Sequence, residues 1–312
     1  MSTLTKEKLL VIIGPTAVGK TELSIEVAKN YNGEIISGDS MQIYKGMDIG
    51  TAKIKEEEMQ GIPHHLIDIR DPSESFSVAE FQKEVRTKIK EITSRGKLPI
   101  IVGGTGLYIQ SVLFDYQFSE EPSNHPIRES LELRLQEQGI DPLFRELEQL
   151  DPASARNIHP NNYRRVVRAL EVYHTTGKTM SEHQANQLKD PLYDVTLIGL
   201  TMDRERLYER INYRVDLMME EGLLEEVTRL YEAGVEGVQS IQAIGYKEIY
   251  DYLEGRATLE DAISTLKQNS RRYAKRQLTW FHNKMDVHWF DVTKLSNREK
   301  NEIISSFLAG KL

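Results

Sequence analysis

Apolar residues along this chain gather in short β-rich runs, separated by longer stretches in which they recur every third or fourth position. The runs are Leu9–Ile13, Glu34–Ile36, Leu66–Ile69 and Leu98–Val102. Their length and β-branched content predict strands. Between the last two runs, Val78, Phe81, Val85, Ile89 and Ile92 keep helical spacing, with Ser77 placed to cap the first turn. Strand and helix in alternation predict an α/β fold, a parallel sheet flanked by helices.

The rhythm breaks at Ser119-Glu120-Glu121-Pro122-Ser123-Asn124-His125-Pro126, a polar, turn-forming stretch followed by helical segments up to Gln187-Leu188-Lys189-Asp190-Pro191. A strand-like run, Val195–Leu200, then resumes. This return favours a mostly helical insertion, residues 119–193, in a core made of 1–118 and 194–312. Two consecutive domains divided near 119 are the alternative. Beyond Asp203, a candidate cap, Leu207, Ile211, Val215 and Met218 form one helical stripe, and Arg206, Arg210 and Arg214 another. Like charges at that spacing repel unless an anion or Glu205, Glu209 or Asp216 neutralises them.

The chemistry begins where the first run ends. Gly14-Pro15-Thr16-Ala17-Val18-Gly19-Lys20-Thr21 is a complete phosphate-binding loop between a strand and a helix. Its backbone N–H groups and the positive end of the helix receive a polyphosphate. Lys20 is placed for the terminal phosphates, and Thr21 offers a hydroxyl to a Mg²⁺ sharing their oxygens. Asp39, just past the second run, faces the same region as a metal ligand, a general base or merely a turn cap. Gly103-Gly104-Thr105-Gly106 ends the fourth run, where small residues admit another molecule and Thr105 offers a hydrogen bond. Asp68 ends the third run and is a second candidate for the metal, which keeps a phosphate-loop kinase open. His64-His65 has no accompanying carboxylate spacing, so structural or substrate contacts are favoured over metal ligation.

Composition adds limits. The 312 residues include no cysteine, which excludes disulfides and thiolate metal sites. No long apolar span occurs and Leu9–Ile13 is too short for a signal core, so a cytoplasmic protein without membrane association is expected, and no stable protein partner is predicted. A net charge of −8 argues against a nucleic-acid partner on average. Locally the sign reverses: Lys267, Arg271, Arg272, Lys275, Arg276 and Lys284 lie in a stretch, 267–285, without an acid, and Arg164, Arg165 and Arg168 cluster in the insertion. Two such clusters suggest a long polyanion. Tyr273, Trp280 and Phe281, among the basic residues of the first, are expected to pack into the core.

Taken together, the phosphate loop, Asp39-Ser40-Met41-Gln42 with the following Ile43–Lys53, Pro63–Asp68, Gly103–Tyr108, Arg168–Val172, Gln242–Glu248 and Tyr273–Trp280 resemble the tRNA dimethylallyltransferases, or tRNA isopentenyltransferases, over nearly the whole chain. The resemblance implies a P-loop NTPase-like core and transfer of a dimethylallyl group from dimethylallyl diphosphate to N6 of adenosine 37 of tRNA. It implies that Gly14 to Thr21 hold the diphosphate with Mg²⁺, that Arg210 joins them, and that Asp39 is the base, with Lys20 and Thr105 completing the catalytic group. Ser40, Met41 and Gln42 would read the flipped base together with Asp39 and Thr105. Arg164, Arg165, Val166, Val167 and Arg168 would contact the anticodon stem, with Arg128. A Gln stands in the family's usual pattern where this chain has Arg164.

Overall fold

A computed structural model describes residues 6–116, 125–185 and 190–312. They divide into two compact units, 1–113 with 191–312, and 114–190. The polar stretch 119–124 and residues 187–189, used above to bracket the insertion, lie outside the described residues.

The larger unit opens with strand β1 (Lys8–Ile13), helix α1 (Lys20–Asn30), β2 (Gly33–Gly38), a short α2 (Glu56–Met59), β3 (His64–His65), α3 (Val78–Ser94), β4 (Leu98–Gly103) and α4 (Gly106–Leu113). The smaller unit holds α5 (His125–Gln138), α6 (Ile140–Leu150), α7 (Pro152–Asn157), α8 (Tyr163–Thr176) and α9 (Met180–Ala185). The chain then returns with β5 (Asp194–Thr201), α10 (Arg204–Glu220), α11 (Leu223–Glu232), α12 (Tyr246–Leu253), α13 (Leu259–Lys284), β6 (His288–Asp291) and α14 (Asn297–Ala309).

All six strands pair in parallel, in the order β3-β2-β4-β1-β5-β6. Central β1 buries everything after Lys8, because helices cover both faces and leave no side of the strand wet. Each such Leu or Ile contributes about 1.5–3 kcal/mol by leaving water. Along one side Ile13 meets Gly103 and along the other Gly199, so the strands end in register and their following loops gather at one edge. That edge is where parallel α/β sheets bind ligands.

Local signals explain the helices beside it. Ser77 and Glu80 form a reciprocal capping box on α3, whose Phe81, Val85, Ile89 and Ile92 are buried. Asp203 accepts from Glu205 N and Arg206 N to start α10. The third strand departs from expectation. The pairing residues are His64 and His65, not Leu66–Ile69, because Leu66 and Asp68 have φ of 60° and 54° and cannot continue a strand. His65 is held structurally: its Nε2 lies 2.7 Å from Glu34 Oε2. Glu34 is 3 % exposed and also receives Arg95 at 2.6 Å and Lys97 at 2.9 Å. These cations hold the Glu34 carboxyl at about 2 despite the opposing effect of burial.

The smaller unit has its own core, in which Leu131, Leu143 and Leu147 pack with Val166, Val167 and Leu170. Among the described residues no helix is long and apolar enough to cross a membrane.

Candidate active site

At the carboxyl edge of the sheet a cavity of about 660 Å³ is lined by the phosphate loop, Asp39 to Gln42, Gly103 and Gly104, α10 and α13. Its floor is set by α1. Gly19 occupies the cap position with φ 100°, a left-handed conformation that favours glycine, and no side chain caps the helix. The first N–H groups of α1 are therefore kept for an anion. Lys20 Nζ bonds back to Gly14 O at 3.0 Å and Pro15 O at 2.7 Å, which keeps one of its three donors for a ligand. Burial, then the charge of Arg214, pull the Lys20 ammonium down to about 8, against the raising effect of Asp39.

Asp39 faces this ammonium's cavity and also caps its own turn, with Met41 N donating to Oδ1 at 2.8 Å. Burial raises its carboxyl above the usual range, and the Met41 N–H and Lys20 only partly offset it. Lys20 alone does not secure the ionised form. Beside it, Gln42 is oriented at both ends: Oε1 accepts from Ser37 Oγ at 2.9 Å, and Nε2 donates to Thr51 O at 3.3 Å and Ala52 O at 3.4 Å. The Thr105 hydroxyl oxygen is buried, and the Tyr273 phenol stands within interaction range of it.

Several expectations change. The glycine turn after β4 lines the cavity with Gly103 and Gly104, and it also admits a neighbour from within the chain. A Cβ on Gly104 would lie 2.0 Å from Gln277 Nε2, so what approaches is this chain's own α13. Tyr273 leaves the core and lines the cavity, where burial and the Asp39 charge push its phenol up to about 12. Asp68 is engaged elsewhere, 2.5 Å from Lys53 Nζ, and Asp216 is paired with Lys267 at 2.5 Å. Of the arginine stripe, Arg210 and Arg214 both line the cavity, while Arg206 is exposed outside it. Arg214 is the half-buried one, and its charge acts on Lys20 and Asp39 alike.

In the smaller unit, Arg164 and Arg165 are exposed on the first turn of α8, and the Arg164 guanidinium lies 5.9 Å from the Tyr163 ring. Arg168 and Arg128 both reach buried Glu171, at 3.0 and 3.6 Å, and Arg128 also pairs with Glu132. Val166 and Val167 are 0 % and 2 % exposed, so their side chains pack the core of this unit and do not face solvent. A helix can present only part of each turn outward.

Comparison with known proteins settles the family. The family model described as IPP transferase matches residues 42–284. This chain belongs to the IPP transferase family. A relative from Bacillus cereus strain G9842, named tRNA dimethylallyltransferase, is 65 % identical over 100 % of this chain and 98 % of its own length. The tRNA isopentenylpyrophosphate transferase of Bacillus halodurans superposes with a TM-score of 0.75 at 55 % identity, covering 98 % of this chain and 97 % of the other. A eukaryotic dimethylallyltransferase described as acting on tRNA gives a TM-score of 0.83 at 36 % identity, over 98 % of this chain and 80 % of that one.

Within this family member, sequence reasoning missed Gln277 and misplaced Tyr273. The missing signal was available only in part: polar Gln277 lies on the same helical face as Ala274 and Phe281, three residues before it and four after, and both are buried.

Proposed function

We propose that the chain is a tRNA dimethylallyltransferase that moves the dimethylallyl group from dimethylallyl diphosphate to N6 of adenosine 37. The observation that carries this reading is one cavity holding a phosphate loop and, facing it, the carboxylate of Asp39. The α1 N-terminus, Lys20, Arg210 and Arg214 bind and orient the diphosphate. N6 forms its bond to C1 of the prenyl group as the C1–O bond breaks, the electron pair leaving with diphosphate. An exocyclic adenine amine is a poor nucleophile, and Asp39 accepts the proton it loses. Thr105, whose buried hydroxyl lies beside the Tyr273 phenol, donates to or accepts from the acceptor base. The adenosine leaves its stack to enter the cavity.

The residues fit a Mg²⁺ that arrives with its substrate. Among the described residues no group of three His, Cys, Asp or Glu could hold a metal alone, and the donors at the loop are oxygens. Such a site suits a hard cation that keeps waters and takes phosphate oxygens, with Thr21 as the protein ligand. Bound there, it would neutralise charge on the leaving diphosphate. Exposed Arg164 and Arg165, joined by Arg168, hold the anticodon stem through its phosphates.

The test is to incubate the protein with Mg²⁺, radiolabelled dimethylallyl diphosphate and unmodified tRNA, then to digest the RNA. Label in N6-dimethylallyladenosine is the expected result. No transfer, with ATP consumed on a small acceptor, would replace this reading with a kinase.

A further inference from the structure

Glu226, on the first turns of α11, is 2 % exposed and does not line the cavity. Its carboxylate is nonetheless fully employed beside the cavity, on a loop whose Gly50 lines it and on the start of α12. Oε2 accepts from Asp48 N at 2.9 Å and Ile49 N at 2.8 Å, and Oε1 accepts from Gly50 N at 3.0 Å. The remaining bond is the 2.6 Å donation from the Tyr246 hydroxyl to Oε1. Tyr246 opens α12 two residues after Ile244, the last of the cavity residues Gln242, Ala243 and Ile244. Burial and the Glu226 charge raise the Tyr246 phenol, so it stays a neutral donor.

The clamped backbone leads straight to the acceptor side of the site. The residues that follow Gly50 are Thr51 and Ala52, whose carbonyls receive Gln42 Nε2. The other end of Gln42 accepts from Ser37 Oγ, which also accepts from Asp39 N at 3.4 Å. No cation pairs with Glu226 among the described residues, so three backbone N–H groups and a phenol must compensate a buried charge. A charge is costly for mere loop packing, because an apolar contact would hold the loop without desolvating a carboxylate.

The geometry points to Glu226 as the positioning residue of the acceptor half of the site: it fixes the Asp48–Ala52 backbone so that Gln42, and through Ser37 the Asp39 turn, stand ready for the adenine. The donor half, built on α1 and α10, shares none of these bonds. The inference rests on the proposed prenyl transfer to RNA.

The experiment is a double-mutant cycle between Glu226→Gln and Gln42→Ala, read as kcat/KM for tRNA, with the dissociation constant of dimethylallyl diphosphate and the melting midpoint measured in parallel. In E226Q an amide N–H₂ replaces an acceptor where only donors converge. The expected result is a fall in kcat/KM for tRNA of about 10–100-fold, corresponding to 1.4–2.7 kcal/mol. Donor affinity stays within twofold, and E226Q has little further effect on the Q42A background. Unchanged tRNA kinetics in E226Q, or equal losses on both backgrounds, overturns the inference. Should E226Q not fold, Tyr246→Phe carries the same cycle with a several-fold effect, and additivity with Q42A overturns it equally. A wild type that makes no dimethylallyladenosine overturns the functional reading, and this inference with it. A working wild type with an indifferent E226Q overturns the inference alone.

Discussion

Thr16 of the phosphate loop donates its backbone N–H to Gln277 Oε1, 3.1 Å away on a helix 261 residues further along the chain. The same amide donates through Nε2 to Gly104 O at 3.1 Å. One side chain thus joins the loop after β1 to the turn after β4. Gln277→Ala leaves a buried carbonyl and N–H unpaired, at a cost of about 1–3 kcal/mol. The expected outcome is a KM for dimethylallyl diphosphate raised by roughly tenfold, with kcat less affected, because the loop binds the donor before chemistry. Steady-state kinetics with tRNA saturating checks it.

Asp39→Asn keeps shape and removes basicity. Turnover should fall by ~10²-fold or more while tRNA and diphosphate affinities stay nearly intact. Single-turnover measurements with both ligands bound separate the step from binding, and undiminished turnover would remove Asp39 as the base.

The pH profile follows from two groups. As the proposed base Asp39 must be ionised, and burial raises its carboxyl, so the rate should climb with pH through a value above the ordinary carboxylate range. As a proposed diphosphate ligand Lys20 must be charged, and its ammonium is drawn down to about 8, so kcat/KM for the donor should decline above that pH. Lys20→Arg should abolish the alkaline decline even if the rate itself is lower, since a guanidinium does not titrate there. A decline that persists unshifted in K20R would assign that limb to another group.

Glu34 ties β2 to β3 and to the turn before β4, and its carboxyl is depressed from 4.5 to about 2. A depressed folded value means the stabilisation is full above 4.5 and disappears as pH falls toward 2. Glu34→Gln should cost about 3 kcal/mol at pH 7, the low end for a broken buried pair because Arg95 and Lys97 keep access to water. Denaturant melts of both proteins should converge as pH falls through that window.

For the smaller unit, exposure orders the arginines. Arg168 is shared with Glu171 and Arg165 is not ion-paired among the described residues, so Arg165→Ala should weaken tRNA binding more than Arg168→Ala. Removing both should lower the slope of log K against log salt by about 1.5–2, the signature of two lost phosphate contacts. An unaltered slope would leave the stem to be held elsewhere.

Strands β1, β2, β4 and β5 and the phosphate loop were legible because they are written locally: apolar-rich runs of strand length, glycine and Lys-Thr at fixed offsets, Ser77 and Asp203 at helix starts. His64–His65 were not, since a strand of two residues carries no periodicity and the neighbouring Leu66 and Asp68 adopt positive φ under tertiary constraint. Arg214 could not be separated from Arg210, because spacing fixes a helix face but not how deeply each turn lies. Glu226 and Gln277 were invisible for a different reason: the backbone groups they bond lie more than 170 residues away in sequence.

Strand β1 pairs with β4 on one side and β5 on the other, and residues 114–190 lie between those two partners in the chain. During synthesis, therefore, the apolar first strand emerges with one edge that cannot be matched until residue 199 has left the ribosome. An unpaired hydrophobic edge invites association with other nascent chains. At ~5–20 residues per second that exposure lasts on the order of several seconds after β4 is complete. The helical unit, with a core of its own, has just that interval in which to fold.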